Sequence, residues 1–107
     1  MAKTLSGNST QILSITNPSD CVTTKKDLIL ISARVHPGET NSSHVCEGLI
    51  EFLLGKSPEA DNLRNQFMIK IIPFLNPDGV VHGNYRTSLA GVDLNRRWKN
   101  PDSELHP

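Results

Sequence analysis

The amino-acid sequence predicts an α/β fold, with a mostly parallel or mixed sheet and helices on its faces. Two largely apolar runs, residues 28–35 and 67–75, are typical of strands that are buried on both faces. The segment between them has the periodicity of helices. Strand, helix and strand in this order predict a parallel, right-handed βαβ unit over residues 27–75. Both strands would then end at the same edge of the sheet.

Residues 1–26 precede this unit and are predicted to form an entry strand and a connector. The Gly-Asn pair at residues 7–8 marks a turn. The β-branched content of residues 11–16 predicts a short strand. The polar run Lys25–Asp27 is interpreted as a solvated connection to the next strand.

A long helix is predicted to follow the first buried strand. It would run from a cap at Asn41 or Ser42 to about Leu54, and Gly55 is well placed just after its end. The apolar residues of this segment follow the spacing i, i+4, i+7, i+8, which predicts that they form the buried stripe of the helix: Val45, Leu49, Phe52 and Leu53.

A second, short helix is predicted immediately after the first. Ser57 would be its cap and Pro58 its first residue. Its apolar positions, Ala60 and Leu63, are few, which predicts a location on the surface.

Residues 76–107 lack regular patterning and are predicted to form a loop region. Residues 76–79, Asn-Pro-Asp-Gly, are interpreted as a rigid turn that supports the site. Residues 83–98 form a long segment rich in Arg, Asn and Gly, and its interspersed apolar residues favour an ordered, functional loop. Trp98 is predicted to pack against the domain. Three further histidines are predicted to be exposed or locally hydrogen-bonded: His44, His82 and His106.

The stretch 33–44 joins the first buried strand to the long helix and contains the main candidate site. A strand that runs into His36 aims its imidazole at the carboxyl edge of the sheet, where open α/β sheets bind ligands. Pro37 fixes φ and Gly38 tolerates positive φ, so the chain can reverse and bring Glu39 beside the imidazole. One nitrogen and one oxygen ligand suit zinc. Taken alone, these residues also fit a structural histidine followed by a surface turn.

Composition narrows the function classes. The 107 residues contain 11 basic and 11 acidic side chains, so neither a nucleic acid nor a membrane partner is indicated. No apolar run approaches the roughly 18 residues of a membrane span, and no signal-peptide core follows the first residues. Cys21 and Cys46 are too few for a disulfide framework. They predict reduced thiols in a cytosolic protein.

Four motifs in order resemble the zinc metallocarboxypeptidases of the carboxypeptidase A superfamily: His-Pro-Gly-Glu, Asn-Pro-Asp-Gly, Gly-Asn-Tyr-Arg and Asp-Leu-Asn-Arg. Residues 33–43 and 83–96 look like the cytosolic carboxypeptidase subfamily in particular. That resemblance implies a partial peptidase catalytic domain over residues 1–107, the incomplete, amino-terminal part of the α/β fold. Residues 76–107 would be its substrate-site loop region. The resemblance further implies Zn²⁺ as cofactor, removal of glutamate from protein or peptide C-termini, tubulin foremost, and a cytoplasmic, cytoskeleton-associated location.

Residue roles follow from the same resemblance. It implies that His36 and Glu39 are the first two zinc ligands, that Arg86 polarises the scissile carbonyl, and that two residues hold the terminal carboxylate of the substrate: Asn95 and Arg96. A guanidinium beside an amide is suited to carboxylate recognition, and an arginine near the metal suits the charge that develops on the carbonyl oxygen. Asp93 is expected either to orient His36 through its second nitrogen or to cap a turn.

The third zinc ligand and the general base of the family are a histidine and a glutamate that would follow residue 107. The resemblance therefore implies that this chain by itself is inactive, since catalytic zinc takes three protein ligands and its water needs a base. Two alternatives remain open. One is a non-catalytic remnant that binds proteins or carboxylates, and the other is a related zinc amidohydrolase.

Overall fold

The computed structural model describes residues 2–18 and 25–105. Its strands are, in chain order, Ala2–Lys3 (β1), Ser9–Thr10 (β2), Leu13–Ile15 (β3), Asp27–Ser32 (β4) and Phe67–Ile72 (β5). Its α-helices are Thr40–Leu54 (α1), Pro58–Gln66 (α2) and Pro77–His82 (α3), and a single 3-10 turn spans Leu94–Arg96.

A mixed three-stranded sheet in the order β3-β5-β4 forms the centre of the fold. β4 pairs with β5 in parallel, from Asp27 opposite Phe67 to Ser32 opposite Ile72. β3 pairs with β5 in the antiparallel sense. The predicted α/β class and the parallel pairing of the two apolar strands are confirmed.

β4 is buried on one face only, contrary to the prediction. Ile29 and Ile31 pack against the core, whereas Leu28 and Leu30 are 60% and 61% exposed. α1 and α2 contribute to that same core and so cover the face of Ile29. In the part of the chain that the structure describes, β4 is an edge strand and its other face lies open.

Helix α1 has nearly the predicted bounds but a different cap and buried face. Glu39 is its N-cap and makes no side-chain cap hydrogen bond. Ser42, a predicted cap, lies inside the helix, and its hydroxyl accepts from the N–H of Arg34 (2.9 Å). Val45 and Phe52, two members of the predicted stripe, are exposed. The core contains instead Cys46, Leu49, Ile50 and Leu53. The prediction is therefore right for Leu49 and Leu53, whereas Cys46 and Ile50 take the places predicted for Val45 and Phe52.

The short helix α2 is capped as predicted but is more deeply packed. The N–H of Ala60 donates to the Ser57 hydroxyl (3.2 Å), and Ala60 is fully buried while Leu63 packs against the core.

Lys26, which belongs to the connector before β4, is not solvated as predicted. Its Nζ donates to the carbonyls of Asn17 (2.7 Å) and Arg64 (2.8 Å). Those carbonyls lie beyond strand β3 and in α2, so the lysine ties the two elements together.

Residues 77–82 form a helix rather than only a turn. Asn76 caps α3 by accepting from the N–H of Gly79 (3.0 Å), and Pro77 occupies the first helical position, which suits a residue without an N–H. The loop prediction is therefore wrong for residues 80–82. The predicted turn at Gly7 is present and joins β1 to β2, a hairpin that the sequence did not predict.

Two remaining expectations concern the cysteines and the membrane. Cys46 is a free, buried thiol, and burial raises its pKa. Cys21 lies outside the described residues. None of the helices in the described ranges combines the length and the apolar run that crossing a bilayer would take.

Candidate metal centre and substrate site

The segment between β4 and α1 folds so that His36 and Glu39 meet. Nδ1 of His36 lies 3.0 Å from Oε1 of Glu39. The backbone reverses tightly, and the N–H of Glu39 donates to the carbonyl of His36 (3.2 Å). The imidazole is buried, whereas about half of the Glu39 side chain is exposed. The predicted convergence is present, and a role as metal ligands stays a prediction.

Gly38 permits this turn through a close approach and not through a positive φ, so that part of the interpretation is wrong. Its N–H donates to the carbonyl of Tyr85 (2.7 Å). A Cβ at position 38 would lie 2.5 Å from Cδ2 of Tyr85. Gly38 does not belong to the described glycines with positive φ, which are Gly7, Gly83 and Gly91. Any side chain at position 38 would therefore have to displace Tyr85.

Asp93 joins His36 to the residues predicted to contact substrate. Its Oδ1 lies 3.1 Å from Nε2 of His36 and accepts from the N–H of Asn95 (2.9 Å). Its Oδ2 accepts from Nε of Arg86 (2.8 Å). Because an ionised carboxylate only accepts hydrogen bonds, Nε2 of His36 is the donor in this contact. Both roles considered for Asp93, orienting His36 and capping a turn, are present.

Asp93 is ionised at neutral pH. Its burial disfavours the charged form, but hydrogen bonds from Arg86, His36 and the N–H of Asn95 outweigh burial and lower the pKa of Asp93. The bond to Arg86 is therefore charge-assisted. This bond fixes the Nε of Arg86, whose side chain is 43% exposed.

Asn95 and Arg96 lie in the 3-10 turn that Asp93 caps. Oδ1 of Asn95 accepts from Nε1 of Trp98 (2.7 Å). The indole nitrogen only donates, so the oxygen of the amide faces Trp98 and its NH₂ group is turned away. Arg96 is exposed, and its Nη1 donates to the carbonyl of Asn95 (3.3 Å). The prediction that Trp98 packs is wrong, since its side chain stays on the surface and is 63% exposed.

The structure brings some of the predicted residues together directly and others only through Asp93. His36 contacts Glu39, and Asp93 contacts both His36 and Arg86. Asn95 joins this group through its backbone N–H on Asp93. The guanidinium of Arg96 is bonded instead to the carbonyl of its neighbour.

Asn76 connects two segments of the site, in agreement with the supporting role predicted for residues 76–79. Its Nδ2 donates to the carbonyl of Val35 (3.3 Å) and to that of Thr87 (3.2 Å). The amide is buried, so these bonds tie the residue before His36 to the loop that contains Arg86. Sequence reasoning missed that Asn76 caps a helix, although Asn followed by Pro and a later glycine is a cap signal.

The other histidines behave as predicted where the structure describes them. Nδ1 of His44 lies 3.8 Å from Oε2 of Glu47 on the exposed side of α1. Nε2 of His82 lies 3.3 Å from the Ser6 hydroxyl. His106 lies outside the described residues. Within the described ranges, no group of three or more His, Cys, Asp or Glu side chains is placed to hold one metal ion.

The structure also contains an apolar cavity of about 240 Å³. Leu75, Leu94 and Trp98 contribute to its wall, and the candidate metal ligands do not. The buried Ser88 hydroxyl borders it and has no hydrogen-bond partner in the described part of the chain. The cavity thus adjoins the site at Asn76 and Trp98, and none of the predicted metal or substrate residues lines it.

A family model described as zinc carboxypeptidase matches residues 1–105. Among curated proteins, cytosolic carboxypeptidase 1 of Danio rerio is 49% identical over 114 aligned residues, which cover 100% of this chain and 10% of that protein. Cytosolic carboxypeptidase 2 of Mus musculus is 52% identical over 109 residues, covering 100% of this chain and 13% of that protein. The chain spans about a tenth of the length of the curated relatives it matches.

Solved structures show the same arrangement of the chain. A metallo-carboxypeptidase from Burkholderia cenocepacia superposes with a TM-score of 0.90 at 38% identity, over 99% of this chain and 29% of that one. A metallo-carboxypeptidase from Pseudomonas aeruginosa, solved in complex with (2-guanidinoethylmercapto)succinic acid, superposes with a TM-score of 0.87 at 33% identity. That match covers 98% of this chain and 27% of the other.

Proposed function

This chain belongs to the zinc carboxypeptidase family, and from that membership we propose that the protein is a metallocarboxypeptidase that cleaves C-terminal peptide bonds and releases glutamate. The single observation that carries the proposal is the convergence of His36 and Glu39, with Asp93 at the second ring nitrogen of His36. A histidine whose outer nitrogen is held by a carboxylate is the usual arrangement of a metal-ligating imidazole.

The donor set fits zinc. His36 and Glu39 would supply two of the three protein ligands that a catalytic zinc takes, one imidazole nitrogen and one carboxylate oxygen. Zinc, when bound, supplies Lewis-acid polarisation and activation of water. Asp93 accepts a hydrogen bond from the Nε2–H of His36. This bond orients the imidazole ring so that Nδ1 faces Glu39.

Arg86 is the residue that would stabilise negative charge on the carbonyl oxygen. Its Nε is engaged by Asp93, so the terminal nitrogens of the guanidinium are left to face a substrate. The anchored, charge-assisted bond holds this donor in one place before substrate arrives. Preorganised donors of this kind stabilise developing charge more effectively than mobile ones.

Asn95 and Arg96 would bind the free carboxylate at the end of the substrate. Trp98 orients the Asn95 amide so that its NH₂ group is the available donor. Arg96 presents an exposed guanidinium from the same turn. An amide donor next to a guanidinium matches the two oxygens of a carboxylate.

The names of the relatives, which are cytosolic carboxypeptidases, support a cytoplasmic location. The proposed preference for glutamate rests on the resemblance of residues 33–43 and 83–96 to the cytosolic carboxypeptidase subfamily. We extend the proposal to protein C-termini as substrates, with tubulin as the first candidate. A location at the cytoskeleton would follow from that substrate.

The test measures zinc binding and glutamate release by the full protein. Wild type should bind zinc in a calorimetric titration and release glutamate from a peptide that ends in glutamate. The variant His36→Ala should weaken zinc binding by at least about 100-fold, since even the loss of a residue behind a ligand costs 10- to 100-fold. His44→Ala is the matched control, because His44 is an exposed histidine of α1.

Retention of both zinc binding and turnover in His36→Ala would overturn the proposal. Binding of the glutamate-ended peptide without zinc and without turnover would favour the non-catalytic carboxylate-binding alternative. Hydrolysis confined to small N-acyl amino acids would favour the amidohydrolase.

A further inference from the structure

Arg34 has a backbone conformation that its side chain disfavours. Its φ is +53°, and within the described residues every other residue with a positive φ is a glycine. A non-glycine residue is disfavoured in the left-handed region, because its Cβ comes too close to the following carbonyl oxygen. Such residues persist where the surroundings hold them, and they are concentrated at functional sites. Arg34 stands directly between the end of β4 and His36.

Both backbone polar groups of Arg34 are tied to other elements. Its N–H donates to the Ser42 hydroxyl in the first turn of α1 (2.9 Å). Its carbonyl accepts from the N–H of Asn76, the cap of α3 (3.3 Å). The neighbouring carbonyl of Ala33 accepts from the N–H of Leu75 (2.9 Å). The left-handed turn is therefore held from two sides, by α1 and by the segment that leaves β5.

The side chain of Arg34 closes the turn that contains His36. Nε donates to the carbonyl of Pro37 and Nη1 to the hydroxyl of Ser43, both at 2.7 Å. Pro37 is the residue after His36, and Ser43 belongs to α1. The guanidinium thus bridges the two ends of the segment from which His36 and Glu39 project.

This geometry separates Arg34 from the arginines of the substrate site. Its Nε and Nη1 are both committed to neutral oxygens of the turn. Arg34 is also partly buried, whereas Arg86 and Arg96 are exposed. We propose that Arg34 is a positioning residue: its left-handed backbone and its guanidinium fix the turn that brings the metal ligands His36 and Glu39 together. The inference rests on the proposed function, because it assigns a purpose to that ligand pair.

Three variants, made in the full protein, separate the contribution of the left-handed backbone from that of the guanidinium. Arg34→Gly adopts positive φ without strain but loses the guanidinium bonds. Arg34→Ala loses the bonds and keeps the backbone cost. Arg34→Lys keeps the charge but cannot bond both oxygens in the fork geometry of arginine.

Arg64→Lys is the matched control. The guanidinium of Arg64 also bonds to carbonyl oxygens, those of Leu53 and Gly55, at the far end of α1. Its replacement should reduce stability without disturbing the turn at His36.

The measurements are a Co²⁺ titration followed by visible absorption and ¹⁵N NMR of the imidazole nitrogens. Each Arg34 variant should weaken Co²⁺ binding by about 10- to 100-fold, the range typical of residues that orient metal ligands. Arg34→Ala should be affected more than Arg34→Gly. His36 should give one set of nitrogen signals in wild type and in Arg64→Lys, and several or broadened sets in the Arg34 variants.

The outcomes distinguish this inference from the proposed function. Wild-type affinity and a single set of His36 signals in all three Arg34 variants would overturn the inference and leave the proposed function standing. An equal loss of affinity in Arg64→Lys would also overturn it, because general destabilisation would then explain the effect. Wild type that binds no Co²⁺, or binds it equally well as His36→Ala, would overturn both.

Discussion

Single residues of this site act largely by fixing one another. Asp93 accepts from His36, Arg86 and the backbone of Asn95, so one carboxylate sets the position of three groups with different predicted roles. Trp98 likewise fixes the orientation of the Asn95 side-chain amide, by donating a hydrogen bond to its oxygen. Donors that are already oriented lose little freedom when substrate binds, and this is where hydrogen bonding contributes most to recognition.

Replacement of Trp98 by phenylalanine should weaken substrate binding while the chemistry is retained. Trp98→Phe removes the Nε1–H bond that orients the Asn95 amide. One such bond contributes about 0.5–1.5 kcal/mol, so KM for a glutamate-ended peptide should rise about 2- to 10-fold, with kcat unchanged. Steady-state kinetics of the full protein provide the measurement, and Lys99→Ala, an exposed neighbour, is the control. An unchanged KM would show that Trp98 does not orient Asn95.

At the level of elements, helix α3 connects the amino-terminal hairpin to the turn that contains His36. Asp78 in its first turn is buried and accepts from the Thr4 hydroxyl (2.6 Å), the N–H of Ser6 (3.1 Å) and Nδ2 of Asn8 (2.9 Å). Asn76, the cap of the same helix, supports the turn of His36. One short helix therefore joins β1 and β2 to the candidate metal ligands.

The stability that Asp78 contributes should depend on pH. Burial disfavours its ionised form, but the hydrogen bonds from Thr4, Asn8 and Ser6 outweigh burial and lower the pKa of Asp78. A carboxyl group with a lowered pKa in the folded state stabilises that state above its unfolded pKa of about 3.9, and this stabilisation is lost as the pH falls through the folded value. The free energy of unfolding should therefore decrease below about pH 4.

Asp78→Asn tests this contribution by denaturant unfolding at several pH values. The variant should lose about 1.5–3 kcal/mol of unfolding free energy at pH 7, which is typical of hydrogen bonds to a charged group. The difference from wild type should shrink as the pH is lowered from about 4. Glu51→Gln, an exposed carboxylate of α1, is the control. A difference that stays constant with pH would contradict the proposed ionisation of Asp78.

For the whole molecule, the helices and the sheet form two layers with one open face. The core lies between the sheet and α1 with α2. On the opposite side of β4, Leu28 and Leu30 are exposed beside an edge that has no further strand in the described residues. Exposed apolar residues on an edge strand favour pairing with another chain.

Charged substitutions on this face should therefore reduce self-association of the chain. Leu28→Lys and Leu30→Lys should lower the weight-average mass measured by sedimentation at high protein concentration. Their free energy of unfolding should change by no more than about 0.5 kcal/mol, because both positions are exposed. Ser32→Lys adds the same charge to the same face and is the control, since it removes no apolar group. If wild type and all the variants associated equally, this face of β4 would not be the surface of self-association.

The sequence by itself determined those features that depend on local chemistry. Largely apolar runs predicted β4 and β5, and Ser57 with Pro58 predicted the start of α2, because propensity and capping act between near neighbours in the chain. The Pro-Gly turn predicted that Glu39 returns to His36, since the two are only three residues apart. The ordered motifs by themselves indicated the family.

The tertiary structure alone decided what depends on contacts between distant segments. The open face of β4 follows from where the other elements pack, and the apolar run of that strand does not encode it. The side of α1 that is buried was displaced from the predicted stripe because the sheet decides which face is covered. Asp93 meets His36 across 57 positions of sequence, and Tyr85 approaches Gly38 across a similar gap. No local pattern specifies such pairs, so their geometry could be read only from the folded chain.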